Sequence, residues 1–179
     1  MSRIGKQIIK IPSGVSINLT PESIHVKGPK GEIQRSIPFC LSIVQKENIS
    51  LQILRKDENI SSREMHGLFR SLISNMVVGT SKGFTKILEL KGIGYKANID
   101  KKVLNLALGF SHPVKIEAPT GIELSVENNT IIKISGIDKE KVGLIAQQIR
   151  SIKPPEPYKG KGILYKGEVI QIKVGKSSK

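Results

Sequence analysis

The chain has no tryptophan, a single cysteine and an aromatic content of only 4%. A core without large rings has to be aliphatic, built on isoleucine, leucine and valine, and a hydrophobic fraction of 38% suffices for one. The lone Cys40 excludes an intrachain disulfide. Set between Phe39 and Leu41, it reads as a small buried hydrophobe, and a reducing compartment fits it. No apolar run approaches the roughly 18 residues that a membrane-spanning helix needs. The opening Met1-Ser-Arg-Ile-Gly-Lys6 carries no apolar segment of the kind that directs secretion, so a secreted protein is not expected.

Catalytic signatures are scarce as well. His25, His66 and His112 are widely separated, and no Cys-x-x-Cys accompanies them, so neither a metal site nor a cofactor is expected. No Gly-x-Ser-x-Gly elbow is present to expose a nucleophilic serine. Lys91-Gly-Ile-Gly-Tyr95 has two glycines of a dinucleotide fingerprint but not the third. A strand rather than a helix follows it, so no helix N-terminus awaits a phosphate. Gly92 and Gly94 read first as a bulge or a tight turn into that strand. Lys159-Gly-Lys-Gly162 lacks the spacing and the following Ser or Thr of a Walker loop. The chain therefore reads as a binding protein without enzymatic activity or a small-molecule substrate.

Negative charge is scarce relative to positive. Fifteen Asp and Glu (15) face 29 Lys and Arg, which leaves a formal net charge of +14 over 179 residues. Such an excess repels itself in a compact globule and favours a polyanionic partner. It is also unevenly spread: from Arg150 onward there are eight basic residues and two acidic ones. A membrane surface would call for a basic amphipathic helix with large apolar anchors. The helical segments here are only mildly basic, and the surplus lies in loops and strand ends. Nucleic acid is the favoured partner, and no membrane partner is expected.

Two segments carry helical periodicity. Over residues 61–78, Met65, Leu68, Phe69, Leu72, Ile73, Met76 and Val77 form one stripe, with Ser61 and Glu64 placed as a capping box and Gly79 as a stop. Over residues 138–152, Val142, Ile145, Ala146, Ile149 and Ile152 form another, capped by Asp138 and ended by Pro154. Elsewhere apolar residues alternate with polar ones. The runs at 15–19, 24–26, 33–37, 49–53, 95–99, 104–108, 122–126, 132–134 and 170–174 predict strands, with Gly28-Pro-Lys-Gly31, Asp100-Lys-Lys102 and Asn128-Asn129 as turns. Each half thus supplies strand pairs and then one amphipathic helix. The fold class expected is α+β: two similar duplicated domains, residues 1–81 and 82–179, each a mostly antiparallel sheet covered by one helix. Gly67-Leu68 and Gly143-Leu144 suggest the register of the repeat.

One segment concentrates unusual chemistry. Residues 154–163 read Pro-Pro-Glu-Pro-Tyr-Lys-Gly-Lys-Gly-Ile. Prolines fix φ and stiffen the stem, glycines bring bare backbone close to a partner, and one ring and two ammonium groups lie among them. That set suits an RNA backbone and its bases, although a Pro/Gly surface loop with incidental lysines has the same composition. Lys153, Lys159, Lys161, Lys166 and Lys173 are the expected phosphate ligands, with Arg150 able to make a two-pronged contact. Gly160 and Gly162 are expected to present backbone N–H groups to phosphates.

Pro157-Tyr-Lys-Gly-Lys-Gly-Ile163, together with Ser2-Arg-Ile-Gly-Lys6, Ile11-Pro-Ser-Gly-Val15, Lys91-Gly-Ile-Gly-Tyr-Lys-Ala97 and Leu104-Asn-Leu-Ala-Leu-Gly-Phe-Ser-His-Pro-Val114, resembles the family of large ribosomal subunit protein six, of bacterial or organellar type. The resemblance runs the length of the chain, and residues 39–60 depart from the family's pattern. It implies two α+β domains arising by duplication and no catalysis. It implies binding to large-subunit ribosomal RNA, mainly through the C-terminal domain, near the region where translation factors dock and among neighbouring ribosomal proteins. The location implied is the ribosome, in the cytoplasm or in an organelle such as a plastid. Tyr158, Lys159, Gly160, Lys161 and Gly162 inherit the RNA-contact role by matching the signature, Tyr158 as a ring for an unpaired base or a 2′-hydroxyl. A free RNA-binding regulator or RNA chaperone is the alternative, and an enzyme acting on RNA the third reading.

Overall fold

The computed structural model describes residues 3–46 and 49–175. Ser2 of the opening block and Lys176 and Lys179 of the basic tail lie outside the described residues. The chain divides into two compact units between Phe84 and Thr85.

In the first unit, β2 (Ser16–Leu19), β3 (Ser23–Gly28) and β4 (Gly31–Ser36) form an antiparallel meander. A second sheet has the order β1 (Ile9–Lys10), β6 (Ser50–Arg55), β5 (Leu41–Lys46). β3 and β6 alternate strictly, so Ile24, Val26, Leu51 and Ile53 enter the core while their neighbours face outward. Helix α1 (Ile60–Ser81) adds Phe69, Ile73, Met76 and Val77 to it. Cys40 is half-buried and packs on the edge of this core.

α1 departs from its sequence reading in three ways. The capping box does not form: Asn59 is the N-cap, and no side chain caps the helix. The buried stripe is Ser62, His66, Phe69, Ile73, Met76, Val77 and Thr80, which leaves Met65 and Leu68 exposed. Three of these are polar, and two of the three, His66 and Thr80, have their polar groups satisfied by backbone carbonyls. His66 Nε2 lies 2.9 Å from the Ile53 carbonyl, and Thr80 Oγ1 donates to Met76 O at 2.9 Å. Finally, Gly79 is buried inside the helix, and Gly83 (φ +78°) ends it with its N–H on Val78 O. The Gly28 turn locks that end: Lys30 N–H donates to Thr80 O (3.0 Å), and a Cβ on Gly28 would lie 2.6 Å from the same oxygen.

The second unit repeats the order. β7 (Phe84–Lys91) is followed by a meander of β8 (Lys96–Asp100), β9 (Val103–Ala107) and β10 (Val114–Glu117), then by a hairpin of β11 (Ile122–Glu127) and β12 (Ile131–Gly136), then by α2 (Lys139–Ile152). Asn128 and Asn129 both have φ near +55° (54° and 57°), and Thr130 N–H donates to Glu127 O at 3.2 Å, a mirror-image turn within the three-residue connection from Glu127 to Ile131. Asp138 caps α2 by accepting from Glu140 N–H at 2.9 Å, and Val142, Ile145, Ala146 and Ile149 are buried beneath it. Matching bonds recur in the two units: Leu41 N–H to Pro38 O and Ile122 N–H to Pro119 O, Ile11 N–H to Ile49 O and Leu90 N–H to Thr130 O. The duplication is therefore real, but the Gly-Leu pairs do not set its register. Gly67 lies eight positions after its cap Asn59, and Gly143 five after Asp138. Each unit also holds two antiparallel sheets rather than one.

Among the described residues, one strand has no counterpart in the first unit. β13 (Gly162–Tyr165) pairs antiparallel with β7 and completes a sheet of order β11-β12-β7-β13. Ile163 and Leu164 on it are buried. The strand expected over 170–174 does not form. Val169, Ile172 and Val174 are exposed, and alternation without a neighbouring ladder cannot satisfy a strand's backbone.

Candidate nucleic-acid interface

α2 stops at Lys153, whose backbone leaves helical geometry (φ −143°, ψ 79°) because a proline follows. The loop that begins there is closed on itself. Ile163 N–H donates to Lys153 O at 2.9 Å, which ties its two ends together. Within it, Glu156 N–H donates to Lys161 O (2.8 Å) and Gly160 N–H to Glu156 O (3.0 Å). Gly160 has φ +66°, the left-handed conformation that glycine adopts without steric penalty. The loop is thus held in one shape before any partner arrives, and little chain entropy is left to lose on binding.

This closure corrects the expectation for the two glycines. The Gly160 N–H serves the loop and does not project outward. Gly162 is buried at the start of β13 with φ +143°, and a Cβ there would lie 2.7 Å from Pro154 O and Pro155 Cα. Both glycines shape the loop that carries the lysines.

The side chains fall as follows. Tyr158 is 54% exposed at the loop's turn, and Lys159 beside it is exposed. Lys153 and Lys161 are half-buried by their stems. Lys173 reaches the same region, because its N–H donates to Pro157 O at 2.9 Å. Lys166 projects from the turn after β13 and is anchored by its N–H on Ile87 O. Among the described residues no acidic side chain pairs with Lys153, Lys159, Lys161, Lys166 or Lys173.

Arg150 is different. Its Nη2 and Nε donate to the two carboxylate oxygens of Glu168 at 2.6 and 3.3 Å. Glu168 also accepts from Tyr165 N–H at 2.9 Å. The Arg150 hydrogen bond holds the Glu168 carboxyl below its ordinary range, with help from the Tyr165 N–H, and Glu168 raises the Arg150 guanidinium in turn. The two-pronged contact expected of Arg150 is therefore made within the chain. It braces the turn after β13 and, with Lys86, sets a cation 5.6–5.7 Å from the Tyr165 ring centre.

Folding also brings in residues that the sequence reading left out. Lys91 ends β7 opposite Gly162 and lines a shallow cleft with Lys159, Gly160, Leu164, Ile170 and Ile172. Phe110 lies under the Lys153 ammonium, 4.7 Å from ring centre to Nζ. The Lys91 and Phe110 motifs were visible as blocks of the family resemblance. Their place beside the loop was not, because it depends on strand pairing across some 70 residues of chain. In Lys91-Gly-Ile-Gly-Tyr95, Gly92 closes over the Tyr95 ring, where a Cβ would come within 2.7 Å, and Gly94 takes φ +78°; the glycines make a tight turn. Among the described residues no three His, Cys, Asp or Glu side chains gather as a metal site, and no helix is long and apolar enough to cross a membrane.

Comparison with known proteins agrees with this architecture. The family described as Ribosomal protein L6 matches the chain twice, over residues 11–83 and 91–166. The chain is 53% identical to the large ribosomal subunit protein uL6c of Cyanophora paradoxa, over 100% of this chain and 99% of that one. It is 51% identical to uL6 of Gloeothece citriformis over 100% and 99% of the two chains. It is 49% identical to uL6 of Staphylococcus epidermidis over the whole of both.

Proposed function

This chain belongs to the ribosomal protein L6 family, and we propose that it is a structural constituent of the large ribosomal subunit that grips large-subunit ribosomal RNA with the loop and tail behind α2. The family is structural rather than catalytic. The observation that carries the RNA reading is the self-closed loop of residues 153–163, which holds, on a preset frame, cations without acidic partners among the described residues. Each ammonium that meets a phosphate releases condensed counterions, and the frame sets where those ammonium groups stand. Lys153, Lys159, Lys161, Lys166 and Lys173 neutralise phosphates, Lys91 extends the basic surface, and Tyr158 offers a ring to an unpaired base or a hydroxyl to a ribose. Arg150 acts indirectly, by bracing the turn that carries Lys166. Gly160 and Gly162 keep their place in the RNA site as the residues that shape it.

Contacts of this kind read the shape of a folded RNA more than its sequence. The protein is then an architectural clamp on the ribosome of a bacterial cytoplasm or a plastid, beside neighbouring ribosomal proteins. The family resemblance adds that the clamped RNA lies near the docking region for translation factors. Changing Lys159 and Lys161 together to alanine tests the placement. With about 0.7–0.9 of slope per phosphate contact, the double variant is expected to bind ribosomal RNA more weakly and to flatten log K against log salt by about 1.5. Unchanged affinity and slope would move the site elsewhere. Co-sedimentation with large subunits through a high-salt gradient separates a resident constituent from a free regulator or chaperone, which would wash off.

A further inference from the structure

Among the chain's few aromatic rings, Phe110 stands partly exposed beside a second ring and the start of the RNA loop. β9 ends at Ala107, Leu108 turns into the core, and Gly109 takes a left-handed φ of +74°. That bend swings Phe110 out, and it remains 40% exposed. Two residues on, His112 is exposed as well, and its ring lies nearly parallel to that of Phe110, 6.4 Å between centres and 21° between planes. Beside them stands the Lys153 ammonium at the start of the RNA loop, 4.7 Å from the Phe110 ring centre. Phe39 offers a contrast. It is more exposed, at 90%, and has Lys56 nearby, but among the described residues no second ring stacks with it, and it lies on the other unit.

We infer that Phe110 and His112 form a stacking platform for an unpaired nucleobase, with Lys153 placed to take that nucleotide's phosphate. A ring left at the surface keeps apolar area in water. Two near-parallel rings in a cationic setting present π-faces that accept any base, because every base has one. The lysine supplies both a cation for the ring and a charge for the backbone that threads past it. This site rests on the RNA-binding reading above and adds to it a requirement for single-stranded nucleotides at one point of the bound RNA. Base pairing buries the faces that the platform needs, so a loop, bulge or end is accepted and a continuous duplex is not.

The probe is a short RNA hairpin with 2-aminopurine in its unpaired loop, compared with the same stem made fully paired, both offered to the full chain. Wild type is expected to quench the 2-aminopurine and to prefer the looped RNA by about tenfold, the scale of one base stacked on an aromatic ring. Phe110→Leu keeps the apolar bulk and removes the π-face. It is expected to lose the quench and the preference while its salt dependence stays at the wild-type slope. Phe110→Tyr and His112→Phe are expected to retain both. Quench and preference that survive in Phe110→Leu would overturn the platform, as would equal wild-type affinity for the two RNAs. The second of these outcomes, joined to a flattened slope in the Lys159/Lys161 double variant, would leave the RNA clamp standing without the platform. If wild type binds neither RNA, the clamp and the platform fall together.

Discussion

Charge and burial pull in different directions at single residues of the basic face. Arg150 and Glu168 keep about a third of their side-chain surface exposed (31% and 27%), so water screens their pairing and its contribution to stability is about 1 kcal/mol or less. Its pH dependence has a definite sign. The folded Glu168 carboxyl titrates below its ordinary value of 4.5, so the unfolded chain takes up the proton first as pH falls. The stabilisation is complete above that ordinary value and is lost as pH drops through the depressed one. Glu168→Gln is expected to be slightly less stable than wild type in urea at pH 7. The gap should narrow as pH falls below 4.5 and close once the depressed value has been passed; a gap that persists through that range would mean that packing, not the ion pair, is responsible. Gly162 is the residue at which composition misled most. A glycine beside lysines looks like bare backbone for a phosphate, yet here it lets β13 pass under Pro154 and Pro155.

The two helices are a matched pair with different ends. Asp138 accepts a hydrogen bond from Glu140 N–H, whereas Asn59 at the equivalent place makes no side-chain cap. Asp138→Ala is expected to cost about 1 kcal/mol, the usual worth of a formed cap. Asn59→Ala should cost a few tenths at most, since no such bond exists to lose. Urea melts of the two variants check the difference, and equal losses would contradict the capping geometry. The stripe of α2 was legible because each of its buried positions is apolar. That of α1 was not, because His66 and Thr80 find backbone acceptors and sink, while Met65 and Leu68 stay at the surface. Apolar letters report periodicity only where polar side chains have no partner inside. Likewise, residues 170–174 alternate as a strand does but have no ladder, and Gly162–Tyr165, with no such pattern, becomes one by pairing with β7.

Across the molecule the surplus of 14 positive charges is not one undifferentiated field. Lys27 and Lys30 in the first unit are as exposed as Lys159. They flank the Gly28 turn docked on the end of α1, whereas Lys159 belongs to a self-closed loop with further lysines around it. Replacing Lys27 and Lys30 by alanine removes as much charge as replacing Lys159 and Lys161. Under the clamp reading it is expected to leave the RNA salt slope within error of wild type, while the Lys159/Lys161 change flattens it. Equal flattening by both pairs would mean that net charge alone drives the association.

From the order of residues one can read an aliphatic core, a duplicated α+β chain, a helix from Asp138 to the prolines and a cationic stretch from Arg150 onward, since these depend on composition and on contacts close along the chain. Folding chose partners. It gave Arg150 to Glu168, Lys91 to the loop, Phe110 to Lys153 and β13 to the edge of β7. Periodicity records whether a position is buried, but not which distant group meets it there; that depends on how strands register and turns close.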